Sequence, residues 1–159
     1  MRLRSLIRKV DDGERTATDF RKVNGFLRRR EGGRVATPEQ VSVWVGLDVG
    51  KETHFADLLD NDGERLFARA IGNDQGDIEA LLDRAGKHGV PGLVIDQPGS
   101  IAQLVLTVAA KREVPVAYVP GLVMRRAADL YPGEAKTDRR DAYIIADTAR
   151  RRSRKSCPA

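Results

Sequence analysis

Hydrophobic residues change their spacing several times along the chain, and each change predicts an element. "VSVWVGLD" (41–48) is β-branched and apolar at odd and even positions alike, the pattern of a strand covered on two faces. "HFADLLD" (54–60) and "RLFARAI" (65–71) flank "NDGE", where Asp62-Gly63 signals a hairpin turn. In "DQGDIEALLDRAGKHG", Ile78, Leu81, Leu82 and Ala85 fall at i, i+3, i+4 and i+7, predicting an amphipathic helix that stops near Gly86 or Gly89. "GLVID" (92–96) reads as a short buried strand, "SIAQLVLTVAAKRE" (100–113) as a helix and "VAYVP" (116–120) as another buried strand. A helix around 121–130, the turn "YPGEAK" and a last helix from about Thr137 to Arg150 complete the series.

The order β-β-β-α-β-α-β-α-α, a meander followed by βα units, predicts an α/β domain with a mixed sheet and helices on both faces. Before Val41 the periodicity is weak and only "TDFRKVNGFLRRR" could form a short helix. Three segments are therefore expected: a basic, poorly ordered extension over 1–40, a domain over 41–150 and a basic tail over 151–159. A chain of 159 residues suits one domain of this kind.

Charge sharpens this division. Residues 1–40 hold eleven Lys and Arg against six Asp and Glu, and the last ten residues carry five basic groups and no acid. The middle, 41–149, has twelve basic and seventeen acidic side chains, so the overall charge of +5 resides in the two ends. Basic ends suit a polyanionic partner, and they equally suit solvated termini. "LVLTVAA" (104–110) is too short to span a bilayer, and "MRLRSLIRKV" lacks the apolar run of a secretory signal. The single cysteine, Cys157, allows no internal disulfide and no cysteine zinc site, which makes the cytoplasm the expected compartment.

The candidate chemistry is acidic. Asp48 closes the first strand and Asp96 the fourth, and open α/β sheets place their ligands beyond the carboxyl ends of strands. "AKTDRRDA" (135–142) sets Asp138 and Asp141 three residues apart at a helix start, on one face about 5–6 Å apart. Adjacent parallel strands would bring all four acids to one point, where they need cations. Hard carboxylate oxygens suit Mg²⁺ or Mn²⁺, and two such ions can drive phosphodiester chemistry. Each acid also has a plain structural explanation. Asp138 with Asp141 makes a helix cap, and strand-terminal aspartates start turns.

"VWVGLDVGKETH", "VIDQPGS" and "YVPGLVMRRAADLYPGEAKTDRRDAYIIAD" together resemble the amino-terminal domain of insertion-sequence transposases of family one hundred and ten. These are the DEDD transposases, which include the Piv-type DNA invertases. The resemblance runs from Val43 to Arg150 and rests most on "GEAKTDRRDA". It implies a ribonuclease H-like (RuvC-like) fold with a five-stranded mixed sheet, and an acidic tetrad at Asp48, Asp96, Asp138 and Asp141. It further implies Mg²⁺ or Mn²⁺ as cofactor, DNA as substrate, an element-encoded guide RNA and a homo-oligomer in full-length relatives. Asp96 departs from the glutamate common in the family, shorter by one methylene but still a hard oxygen ligand. Relatives continue into a second domain with a serine nucleophile. Ser100, Ser153 and Ser156 do not sit in that context, so the chain reads as a truncated copy, inactive in transposition by itself.

Lys51, Arg125, Arg126, Lys136 and Arg139 are candidate nucleic-acid contacts, with salt bridges or plain solvation as the alternative for each. His54 and His88, the only histidines, lack metal-ligand spacing; His54 begins a strand near Asp48 and could support that acid, but surface or packing roles are expected for both, and Trp44 in the core. Two other functions fit parts of the sequence. An actin-like sugar kinase fragment would share the sheet order and the "GLDVG" turn but has no role for "KTDRRDA". A catalytically dead remnant would keep only nucleic-acid binding.

Overall fold

A computed structural model describes residues 36, 40–97, 99–119 and 138–155. Five strands form one sheet: β1 (Val43–Asp48), β2 (Thr53–Asp60), β3 (Arg65–Gly72), β4 (Pro91–Ile95) and β5 (Val116–Tyr118). Helix α1 spans Gln75–Gly86, α2 spans Gln103–Lys111 behind a 3₁₀ turn at Ser100–Ala102, and α3 spans Asp138–Lys155. The strand order is β3-β2-β1-β4-β5. β1 pairs antiparallel with β2 and parallel with β4, and β4 pairs parallel with β5. The ribonuclease H-like mixed sheet expected from the sequence is therefore present, with β1 at its centre.

That central place explains the unbroken apolar run of β1. Val43, Val45 and Leu47 face one side and join a core with Ile78, Leu81 and Leu82 of α1 and Val105 and Val108 of α2. Trp44 faces the other side with Val94, Ala117 and Ile145, Ala146 and Ala149 of α3. Trp44 is buried as expected, and its indole N–H donates to Asn61 Oδ1 at 3.0 Å. Between β2 and β3 the predicted hairpin turn forms. Asp60 Oδ1 accepts the N–H groups of Asp62 and Glu64, both at 2.9 Å, and Gly63 takes φ +90°, which only glycine adopts freely.

The way α3 lies on the sheet positions the site. A Cβ built on Gly46 would collide with the carbonyl oxygen of Ala142 and lie 2.7 Å from Ala146 Cβ, so helix and strand backbones touch directly. At the far end, the buried Arg150 guanidinium donates to Asn61 O (3.0 Å) and to Asp147 Oδ1 (2.6 Å). α3 thus runs antiparallel to β1, with its first turn above the carboxyl ends of β1 and β4.

Several boundaries differ from the sequence expectations. β1 starts at Val43 and β5 stops at Tyr118, because ladder pairing ends there. β4 ends at Ile95, which places Asp96 one residue beyond it. α2 stops at Lys111, and Glu113 takes φ 55°, a left-handed C-terminal position usually held by glycine. α3 continues past Arg150 to Lys155, so residues 151–155, expected in a basic tail, are helical. Arg151 explains part of this: it pairs with Asp147 one turn earlier at 2.8 Å. The expected helix around 121–130 and the "YPGEAK" turn lie outside the described residues, as does the extension over 1–35. Among the described residues no helix is long and apolar enough to cross a membrane.

Candidate functional site

Asp48 is the last residue of β1, and Asp96 follows β4 directly. The parallel register ends with Leu47 opposite Ile95, so the two acids are the next residues on neighbouring chains. Along β1, Asp48 shares parity with Trp44 and Gly46, which face α3. The Val49 N–H donates to Asp96 Oδ1 at 3.3 Å and ties the two strand ends together.

Asp141 arrives from the first turn of α3. Burial pushes the Asp96 carboxyl above its ordinary value, and the nearby Asp141 carboxylate pushes it further, against the opposing pull of the Val49 N–H. A carboxyl pushed upward by burial and by a second carboxylate marks a place where negative charge is held at a cost. Asp138 opens α3, four residues before Ala142, and its side chain lies outside the described atoms. Among the described residues, no group of three or more His, Cys, Asp or Glu is placed so that it could hold a metal ion. Asp48 and Asp96 adjoin at the strand ends and Asp141 lies near enough to act on Asp96, but the three do not converge into a metal-holding group. Their donor set, all carboxylate oxygen, is that of a hard divalent cation.

The loop after Asp48 is held by His54, which takes the supporting role weighed as the alternative to a surface or packing one. His54 is 1% exposed. Its Nδ1 accepts the Gly50 N–H at 3.1 Å, so the ring proton sits on Nε2, which donates to Asn73 Oδ1 at 2.9 Å. Asn73 completes the clamp: its side-chain amide donates to Lys51 O (3.0 Å) and its backbone N–H to Glu52 O (2.8 Å). Burial holds the imidazole below its ordinary pKa and keeps it neutral. An isolated histidine in sequence gives no hint of these partners, which lie four and nineteen residues away. Gly46 carries a local signal of its own, since a glycine inside a β-branched strand marks a close backbone approach.

Of the expected nucleic-acid contacts, Lys51 is exposed at the same sheet edge, and its ammonium meets no carboxylate among the described residues, unlike the salt bridge considered for it. Arg139 lies in the first turn of α3 with its side chain outside the described atoms. Arg125, Arg126 and Lys136 lie outside the described residues, and His88 is exposed as expected.

A family model for DEDD transposases of the IS110 type, described as "Transposase", matches residues 45–158. The chain belongs to that family. It is 49% identical over 113 residues to the insertion element IS110 uncharacterized 43.6 kDa protein of Streptomyces coelicolor, a match covering 70% of this chain. It is 38% identical over 110 residues to the IS116 uncharacterized 44.8 kDa protein of Streptomyces clavuligerus. With the IS900 uncharacterized 42 kDa protein of Mycobacterium paratuberculosis it shares 34% over 113 residues. The chain spans 28% of the length of each of these relatives. Among solved structures it is similar to T. thermophilus RuvC in complex with Holliday junction substrate, with a TM-score of 0.56 and 16% identity. That likeness covers 73% of this chain and 97% of RuvC, and it establishes a RuvC-like fold. The IS110-family match takes in the "KTDRRDA" block, which the sugar-kinase alternative leaves unexplained.

Proposed function

We propose that this IS110-family domain supplies the carboxylate half of a DNA recombination site. In this reading Asp48, Asp96, Asp138 and Asp141 hold Mg²⁺ or Mn²⁺ and present it to a phosphodiester bond of DNA. One observation carries the proposal: Asp96, beside Asp48 at the strand ends, is half-buried and feels the charge of Asp141. A bound divalent ion would supply Lewis-acid stabilisation of charge developing on phosphate oxygen. The protein's own part is positional. The β1–β4 pairing sets Asp48 beside Asp96, and Gly46 lets α3 come close enough to deliver Asp141. The His54–Asn73 clamp fixes the loop that leaves Asp48. The one-methylene-shorter Asp96, in place of the family's common glutamate, asks α3 to sit close.

The family resemblance extends the proposal to the full-length protein. There, strand exchange would join this metal site to a serine in a second domain, within a homo-oligomer guided by an element-encoded RNA. Removing one member of such a unit forfeits most of its activity, because the groups act together. The 159-residue chain should retain nucleic acid through its basic ends, weakly and less so as salt rises, without joining donor to target DNA. The test is thermal unfolding with and without millimolar Mg²⁺. A ligand that binds the folded state raises stability by RT ln(1 + [L]/Kd), about 2.7 kcal/mol at a hundredfold excess over Kd. Asp48→Asn should abolish most of that rise. Equal melting temperatures for the parent with and without metal would leave the dead-remnant reading in its place.

A further inference from the structure

The carboxylates face α3, but a cavity of about 700 Å³ opens at the same sheet edge on the side of α2. It is lined by Lys51, Asn73, Ser100, Ile101, Gln103, Leu104 and Thr107. We propose that this cavity is a nucleotide subsite, receiving one unpaired nucleotide of the DNA strand whose phosphodiester bond lies at the carboxylates. The inference rests on the reading of the acidic edge as the reaction centre and names what flanks it.

Size, polarity and position agree. A volume near 700 Å³ falls in the range of small-ligand sites, roughly 300–1,000 Å³. Ile101 is 37% exposed, one of only two large hydrophobic residues so exposed among the described residues, the other being Val90. With Leu104 it offers an apolar wall for the face of a base. The exposed Gln103 side-chain amide makes no hydrogen bond among the described residues, which leaves a donor and an acceptor for a base edge. No carboxylate lines the cavity, and its single formal charge is the Lys51 ammonium, the right sign for a phosphate. Lys51 is held there by its own backbone, since its carbonyl accepts from Asn73 at 3.0 Å.

Lys51 follows Asp48 by three residues, so their Cα atoms are at most about 11 Å apart. Each strand of a duplex carries one phosphate per ~3.4 Å of helix axis, and an unpaired strand can extend further. A strand with one phosphate at the acids thus reaches the cavity within a few nucleotides. The wall is aliphatic, without an aromatic ring to stack on, so its contribution to affinity is modest.

Photo-crosslinking of the full chain to single-stranded 12-mers, with 5-iododeoxyuridine walked along the sequence, tests this. The deoxy-oligomer should crosslink to residues 99–111. Ile101→Ala should weaken its binding about three- to tenfold with an unchanged salt dependence. Lys51→Ala should flatten the slope of log affinity against log salt by about 0.7. Both residues are exposed, and unchanged circular dichroism would verify that each variant folds. Crosslinks confined to other segments would overturn the assignment. So would affinities within twofold of the parent for both variants, or crosslinking at 99–111 by a ribo-oligomer alone. The Mg²⁺ melting rise of the same preparation separates the two readings. Its absence with the crosslink intact counts against the carboxylate site and not against the cavity.

Discussion

Replacing Gly46 by alanine tests how Asp141 reaches the strand ends. A single methyl group at this position would collide with the Ala142 carbonyl oxygen and come within 2.7 Å of Ala146 Cβ and 2.8 Å of Ala146 N. Ordinary carbon–carbon contacts lie at about 3.5–4.0 Å, so α3 must lift by roughly 1 Å. None of the obstructing atoms belongs to a side chain that can swing aside. Overpacking of this kind costs about 1–3 kcal/mol, and obstruction by backbone puts Gly46→Ala at or above the upper end. For a protein of this length, 3 kcal/mol corresponds to roughly 6–12 °C in melting temperature. Gly86→Ala is the matched control. Nothing lies within 4 Å of the Cβ it would add, and helix propensity should raise stability by about 0.5–1 kcal/mol. Thermal unfolding by circular dichroism reads both variants. Lifting α3 also moves Asp141 away from Asp96, so Gly46→Ala should lose most of the Mg²⁺-dependent rise. A Gly46→Ala protein that melts within about 2 °C of the parent and keeps its metal response would refute the close approach.

Two further perturbations probe the titratable groups. Because the folded state holds the Asp96 carboxyl above its ordinary value, its stabilising contribution is lost as pH rises through the folded pKa, and the ionised group opposes folding at neutral pH. Asp96→Asn, which can still accept from Val49, should raise the metal-free melting temperature at pH 7.5 while removing the response to Mg²⁺; a fall in the metal-free value would contradict this. For His54 the sign is reversed. Its lowered pKa gives stability that is complete above 6.5 and lost as pH falls below that value toward the folded pKa. The parent should lose stability between pH 7 and 5.5 by more than His54→Gln does, and parallel pH profiles would show that the imidazole does not hold the loop. His54→Leu leaves the Gly50 N–H without its acceptor and should cost about 1–3 kcal/mol at pH 7.5.

Much of the fold is legible in local pattern, and the site is legible only in part. The two-sided apolar run of β1 announced a central strand, and Asp62-Gly63 announced the hairpin, because both signals are local. The positions of Asp48 and Asp96 at strand ends were readable for the same reason, whereas their adjacency required the β1–β4 pairing. What the sequence withheld depends on contacts between distant residues. His54 looked like an isolated histidine until Asn73 and Gly50 came beside it. α3 outran its predicted end, where the buried Arg150 and the exposed Arg151 both pair with Asp147. Charge alone made Arg151 part of a tail; an acid one turn earlier keeps it in the helix.

The central claim is that the acids at the ends of β1 and β4, with those of the first turn of α3, hold one divalent-metal site. Anomalous diffraction from crystals of the 159-residue chain grown with Mn²⁺ tests it most directly. The account predicts a metal peak bonded to carboxylate oxygens of Asp48 and Asp96, with Asp141 or Asp138 within the same coordination sphere, and no such peak in Asp48→Asn crystals. A parent structure in which Mn²⁺ is absent from this edge, or is bound only elsewhere, would contradict it.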